Sequence, residues 1–106
     1  MSIFHIFARK DINEGVRSFR ESKNAILLDV RTREEYASGH VEGSLNLPLD
    51  EIDRVEAVIK DKSAPLYVYC LSGGRSARAV AYLKGKGYRE VHDIGGIGSY
   101  KGKIVV

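Results

Sequence analysis

"LYVYCLSGGRSARAVAYLKGKG", residues 66–87, decides the fold, because an unbroken apolar run passes through a short polar loop into an amphipathic one. Residues 66–69 are apolar without alternation, the pattern of a strand covered on both faces. Residues 70–75 are Cys, Leu, Ser, Gly, Gly and Arg, a loop composition. From about residue 76 a helix follows, with Ala77, Val80, Ala81 and Leu83 available to pack and Gly87 to close it. A strand that feeds a helix reaches its next strand by a crossover, and such strands pair in parallel.

The same alternation extends in both directions. "IFHIF" (3–7) reads as a first strand, and Asp11 with Glu14 makes a capping-box pattern ahead of a helix face of Ile12, Val16 and Phe19. "AILLDV" (25–30) is a second strand buried on both faces. "REEYASGH" is a short helix ending at Gly39, and "SLNLPL" a brief strand stopped by Pro48. Asp50 is then expected to cap a helix over 51–59 with Ile52, Val55 and Ile59 on one face. "EVHDI" (90–94) is the last strand of the sheet, and the tail "SYKGKIVV" reads as a turn of helix and a terminal strand. The expected fold is α/β: one domain, residues 1–106, with a mainly parallel sheet of about five strands and helices on both faces.

Composition narrows the setting. At 106 residues, 43% hydrophobic and 29% charged, the chain reads as a globular domain with a single core. No apolar stretch reaches the roughly 20 residues of a membrane helix, and the N-terminus does not read as a secretory signal. A single cysteine offers neither an internal disulfide nor a C-x-x-C pair, which points to a reducing, cytoplasmic compartment. The net charge of +3 is too small to suggest nucleic acid. Its distribution is uneven, with six cations and no acid from Lys62 to Arg89. That is most simply a solvated helix face, but it flanks the cysteine, so a small anionic partner is worth weighing.

Cys70 stands where open parallel sheets bind ligands, at the carboxyl end of a strand. A lone cysteine there is most often a small buried hydrophobe. The company of Cys70 argues otherwise, because three features of the loop favour thiolate. They are a helix N-terminus, the backbone freedom of Gly73 and Gly74 to turn N–H groups inward as an anion nest, and the permanent charge of Arg75. Such settings bring a thiol from about 8.5 into a range of roughly 3.5–7.5. Ser72 and Ser76 add hydroxyls that can reach the sulfur, although capping the helix is the simpler task for Ser76. Asp29 and Arg31 end a neighbouring strand at the same edge and read as a salt bridge or turn-holding pair. Glu34 and Glu35 read as solvated charges, and His5 and His92 have no ligand-like partners, so neither a metal nor a cofactor is expected.

"LLDVRTREEYASGHVEGSLNLPL" (27–49) resembles the signature D-V-R-x-x-x-E-Y-x-x-G-H-x-x-G-S-x-N-x-P of single-domain rhodaneses. Residues 69–88 resemble the active-site loop and helix of that sulfurtransferase family, and 91–102 its closing G-G segment, with Tyr100 where Trp is more usual. The resemblance implies the rhodanese-like three-layer sandwich and a thiosulfate sulfurtransferase-type reaction. Cys70 would carry a persulfide, and the backbone and side chains of Leu71, Ser72, Gly73, Gly74 and Ser76 would cradle the sulfur. Arg75 would bind the anionic end of a donor such as thiosulfate, and cyanide, a thiol or a partner protein would accept. The resemblance also assigns His40 to a structural turn. Leu71 is apolar where several thiosulfate-preferring members carry a cation, which leaves the donor open.

Loop length separates related chemistries. Protein-tyrosine-phosphatase-like sites wrap phosphate in C-x5-R, whereas this chain has C-x4-R from Cys70 to Arg75, a loop suited to one sulfur atom. Phosphatase of the cell-division-cycle type, or arsenate reductase, is therefore the minor alternative. A sulfur-relay or partner-binding module with little free-standing catalysis is the main one. A monomer is expected.

Overall fold

The computed structural model describes residues 10–106, in which the alternation of strands and helices holds, while the strand expected at 3–7, with His5, lies outside the described residues. Helix α1 (Ile12–Glu21) leads to β1 (Ile26–Asp29), α2 (Arg33–Ser38), β2 (His40–Val41) and β3 (Leu45–Asn46). A 3-10 turn at Leu49–Arg54 runs into the single-turn α3 (Val55–Val58), followed by β4 (Leu66–Cys70), α4 (Gly74–Gly85) and β5 (Val91–Gly96). A 3-10 turn at Ile97–Ser99 and β6 (Ile104–Val105) finish the chain; the terminal strand expected in the tail forms, whereas the helical turn lies ahead of it and shares only Ser99.

Among the described residues the central sheet has four strands, all parallel, in the order β3-β1-β4-β5. Strands β2 and β6 form a separate antiparallel pair. Side-chain alternation splits the interior into two layers. Leu28, Val30, Leu66, Val68 and Cys70 face α3 and α4, together with Ile52, Val55, Ala79 and Leu83. Leu27, Tyr67 and Tyr69 face α1, with Ile12, Val16 and Ile94. Both faces of β1 and β4 are thus covered, which is why their sequences are apolar without a break.

Several local expectations change. Asp11 caps α1 by accepting from the Asn13 N–H at 2.9 Å, but no side-chain bond from Glu14 completes a box among the described residues. The capping box forms at Thr32 instead. Thr32 Oγ1 accepts from the Glu35 N–H at 3.2 Å, and Glu35 Oε1 accepts from the Thr32 N–H at 2.8 Å. The helix expected over 51–59 is mostly 3-10, and Asp50 caps nothing, because the chain enters from Pro48 without a side-chain cap. A three-residue turn lines up Ile52 with Val55 as well as an α-helix would, so their burial survives the change. On α4 the packed residues are Ala79, Val80 and Leu83, while Ala77 and Ala81 are exposed.

One buried ion pair fixes the reactive edge. Asp29 and Arg31 are 0% and 4% exposed, and the carboxylate accepts from the Arg31 backbone N–H at 2.9 Å and from its guanidinium at 2.8–3.1 Å. Arg31 Nη2 also donates to the Gly39 carbonyl at 2.7 Å, tying the end of β1 to the far end of α2. Asn46 Nδ2 donates to the carbonyls of both Asp29 and Arg31 at 3.0 Å, which adds β3. The salt-bridge reading of the pair therefore holds. Truncation of Asp29 leaves Arg31 buried without its counter-charge, so Asp29→Ala is expected to lower stability by about 3–5 kcal/mol, read from urea unfolding at pH 7.

Candidate active site

Cys70 is the last residue of β4 rather than the first of the loop, and it is 1% exposed. The chain then turns in three residues. Gly73 takes a left-handed conformation (φ 111°, ψ −18°) and serves as N-cap, and α4 begins at Gly74, two residues earlier than the sequence suggests. Gly73 is thus the glycine whose freedom the turn requires, whereas Gly74 is already helical and does not take a positive φ. Ser76 is consequently the third residue of the helix and not its cap.

The turn aims donors at the sulfur. The Gly73 N–H donates to Cys70 Sγ at 2.9 Å, and the thiol in turn donates to the Ser76 hydroxyl oxygen at 3.6 Å. Burial pushes the thiol up. The hydrogen bonds of the Ser76 hydroxyl and of the Ser76, Gly73 and Ser72 N–H groups outweigh burial and hold it below the ordinary cysteine value. The positive end of α4 acts in the same direction.

The opposite wall of the loop belongs to β5. A Cβ on Gly96 would lie 2.3 Å from the Leu71 carbonyl oxygen and 2.7 Å from Ser72 Cα, so only glycine admits the loop at this distance. The Gly98 N–H donates to the same Leu71 carbonyl at 3.2 Å. The G-G segment seen in the sequence thus acts as a backbone rest for the cysteine loop. Leu71 itself points outward and is 47% exposed.

Arg75 does not stand free. Its two terminal nitrogens donate to Glu35 Oε1 and Oε2 at 2.7 and 3.0 Å, a two-pronged pair about one-third exposed on each side. The hydrogen bond from Arg75, helped by those from Thr32 and opposed by burial, brings the Glu35 carboxyl down to about 2. Glu35 is therefore a site residue rather than the solvated charge its neighbours suggest. The spacing Thr32-x-x-Glu35 is a capping-box signal legible in the sequence; its reach to Arg75, forty residues away, is not. Glu34 stays outside the site.

Asp93 is the other residue that sequence reasoning missed. It accepts from the Ser76 hydroxyl at 2.8 Å and from the Gly95 N–H at 3.1 Å. Beside α4 lies a cleft of about 470 Å³, bounded by Val30, Thr32, Pro48, Leu49, Asp50, Arg75 and Arg78. Cys70 is not in its wall; Arg75 joins the cleft to the loop. His40 stacks on Tyr36 with ring centroids 3.7 Å apart and bonds the Tyr36 carbonyl through Nδ1, a structural place. His92 contacts Glu90 on the surface. Among the described residues, no group of three or more His, Cys, Asp or Glu is placed to hold a metal ion. None of their helices is long and apolar enough to cross a membrane.

The Glu35–Arg75 pair carries a pH signature. The folded carboxyl lies below its usual 4.5, so its contribution is complete above about pH 4.5 and is lost as pH falls toward 2. Glu35→Gln is expected to be less stable at neutral pH and to lose less stability across that acid window, as measured by urea midpoints against pH.

Residues 13–103 match the rhodanese-like domain family. The thiosulfate sulfurtransferase PspE of Escherichia coli (strain K12) is 38% identical over 71 residues, covering 66% of this chain and 68% of the relative. The adenylyltransferase and sulfurtransferase uba4 of Ogataea parapolymorpha is 32% identical over 90% of this chain, which spans only 25% of that longer protein. Among solved structures, the rhodanese with anions from E. coli superposes with a TM-score of 0.71 at 34% identity, over 76% of this chain and 96% of the other.

Proposed function

The chain belongs to the rhodanese-like domain family, and from that premise we propose that it transfers a sulfane sulfur from a small anionic donor to a thiophilic acceptor through a persulfide on Cys70. The observation that carries the proposal is the lone thiol at the end of β4, with the Gly73 N–H 2.9 Å from its sulfur and Arg75 in the first turn of the helix that follows. The name of the relative PspE supports thiosulfate as the donor.

The chemistry balances without an external oxidant or reductant. The Cys70 thiolate attacks the outer sulfur of thiosulfate, a new S–S bond forms, the old one breaks, and sulfite leaves with its electron pair. The persulfide anion that remains is held in the turn whose Gly73 N–H points at the sulfur. Cyanide or a thiolate then attacks the outer sulfur and departs with it, as thiocyanate or a persulfide, and the Cys70 thiolate is restored. Donors aimed at the sulfur stabilise charge wherever it returns to Cys70, at the start and end of the cycle.

Arg75 meets the donor with part of its fork already occupied. Glu35 fixes the plane of the guanidinium, so the sulfonate end of the donor approaches a cation of set orientation at the mouth of the cleft. Arg78 lines the same cleft and adds a second positive charge. A reducing, cytoplasmic setting, in keeping with a single cysteine, and a monomeric state complete the reading.

Exposed Leu71, beside the thiol, favours a second reading, in which the acceptor or donor is a partner protein docking on an apolar contact and the domain works as a sulfur relay. Incubation with thiosulfate followed by intact mass spectrometry separates the two. The expected result is one added sulfur atom that cyanide removes and that Cys70→Ser never gains. Protein that stays unmodified by thiosulfate and by small persulfides leaves only the relay reading. Loss of the charged contact in Arg75→Ala is expected to lower kcat/KM for thiosulfate about ten- to a hundredfold with the fold intact, in line with a charged hydrogen bond; unchanged turnover removes Arg75 from donor binding.

A further inference from the structure

Behind the cysteine loop, a buried carboxylate competes with the sulfur for a single proton. The Ser76 hydroxyl is wholly buried and has three polar neighbours: Asp93 Oδ1 at 2.8 Å, the Gly73 carbonyl at 3.0 Å and Cys70 Sγ at 3.6 Å. A hydroxyl has one proton to donate. The Gly73 carbonyl already accepts from the Ala77 N–H, and a carboxylate is the stronger acceptor, so the proton goes to Asp93. In that state Ser76 turns a lone pair to Cys70 and accepts from the thiol at 3.6 Å, so the help it can give a thiolate is withheld. To stabilise the thiolate or the persulfide anion, Ser76 must withdraw its proton from Asp93 and direct it at sulfur.

Asp93 is built to hold that place. Asp93 pairs in register with Val68 and shares its face toward α4, and the register shift that follows it sets Gly95 rather than Ile94 opposite Tyr69. Its Oδ1 also takes the Gly95 N–H at 3.1 Å. Its Oδ2 is buried without an aligned hydrogen bond, although Lys10 Nζ lies 3.2 Å away as an ionic partner. Among the described residues, the charged groups facing the Asp93–Ser76–Cys70 cluster are Lys10 on the carboxylate and Arg75 on the first turn of α4, the latter paired to Glu35.

We propose that Asp93 is a positioning residue that governs the protonation of Cys70 through the Ser76 hydroxyl, the carboxylate holding the thiol form in reserve and Lys10 limiting its grip. The consequence for turnover rests on Cys70 as sulfur carrier, but the protonation itself does not. It sets a thiol whose N–H cradle favours charge against a relay that withholds one donor until the sulfur is charged.

The rate of alkylation by iodoacetamide against pH reports the Cys70 thiolate alone, because the chain has no other cysteine. The assay uses no sulfur donor, so it stands apart from sulfur transfer. Asp93→Asn keeps the shape and the acceptor for Gly95 while removing the charge, and is expected to lower the midpoint by about one pH unit, roughly tenfold more thiolate relative to thiol. Ser76→Ala is expected to raise the midpoint. In the Ser76→Ala background, the effect of Asp93→Asn should shrink to a small fraction, since the connecting hydroxyl is gone. An equal shift in both backgrounds would mean that the charge acts through space, and no shift in either would mean that Asp93 does not act on the thiol; both outcomes overturn the proposal. Should Asp93→Asn fail to fold by circular dichroism, Lys10→Met tests the same link in the opposite direction. It strengthens the carboxylate as acceptor, raises the midpoint when Ser76 is present, and moves it much less in the Ser76→Ala background; equal movement in both backgrounds again overturns the link.

Discussion

The reactive edge of this domain depends on the buried pair of Asp29 and Arg31. A parallel strand that ends at a loop has no neighbouring turn to fix its exit, and here the exit is fixed by charge. Asp29 holds Arg31, Arg31 holds the Gly39 carbonyl, and α2 is thereby set at a definite angle to the sheet. On that short helix stands Glu35, which grips Arg75 at the start of α4. Three links connect the end of one strand to the loop after the next. A buried pair of this kind adds little net stability against an apolar replacement, but it fixes direction, which an apolar contact does not.

The thiol itself sits between opposing demands. Its burial among Val30, Val68 and Ala79 excludes water and disfavours charge, while the turn at Gly73 points N–H groups at the sulfur and favours it. Close backbone approach makes the two compatible. Gly73 supplies the left-handed residue that turns the loop inward, and Gly96 lets β5 press against the Leu71 carbonyl.

The cleft beside α4 meets the loop from another side. Its walls mix apolar residues with Asp50 and Arg78, and its one link to the sulfur runs through Arg75. The guanidinium that it presents is oriented by Glu35.

The sequence by itself determined the strand-helix alternation, the two doubly covered strands, and the spacing of four residues between Cys70 and Arg75. These are properties of apolar periodicity and local spacing, which the chain carries whatever its neighbours. Only the tertiary structure decided that α4 starts at Gly74 so that Ser76 becomes an internal partner of the sulfur, and that Gly73 alone bears the positive φ in that turn. It also decided that Asp50 caps no helix, since a 3-10 turn buries Ile52 and Val55 equally well. Glu35 and Asp93 stayed hidden for the same physical reason. Each meets its partner across strands or helices, and a carboxylate looks solvated in sequence until packing supplies the cation or hydroxyl that faces it.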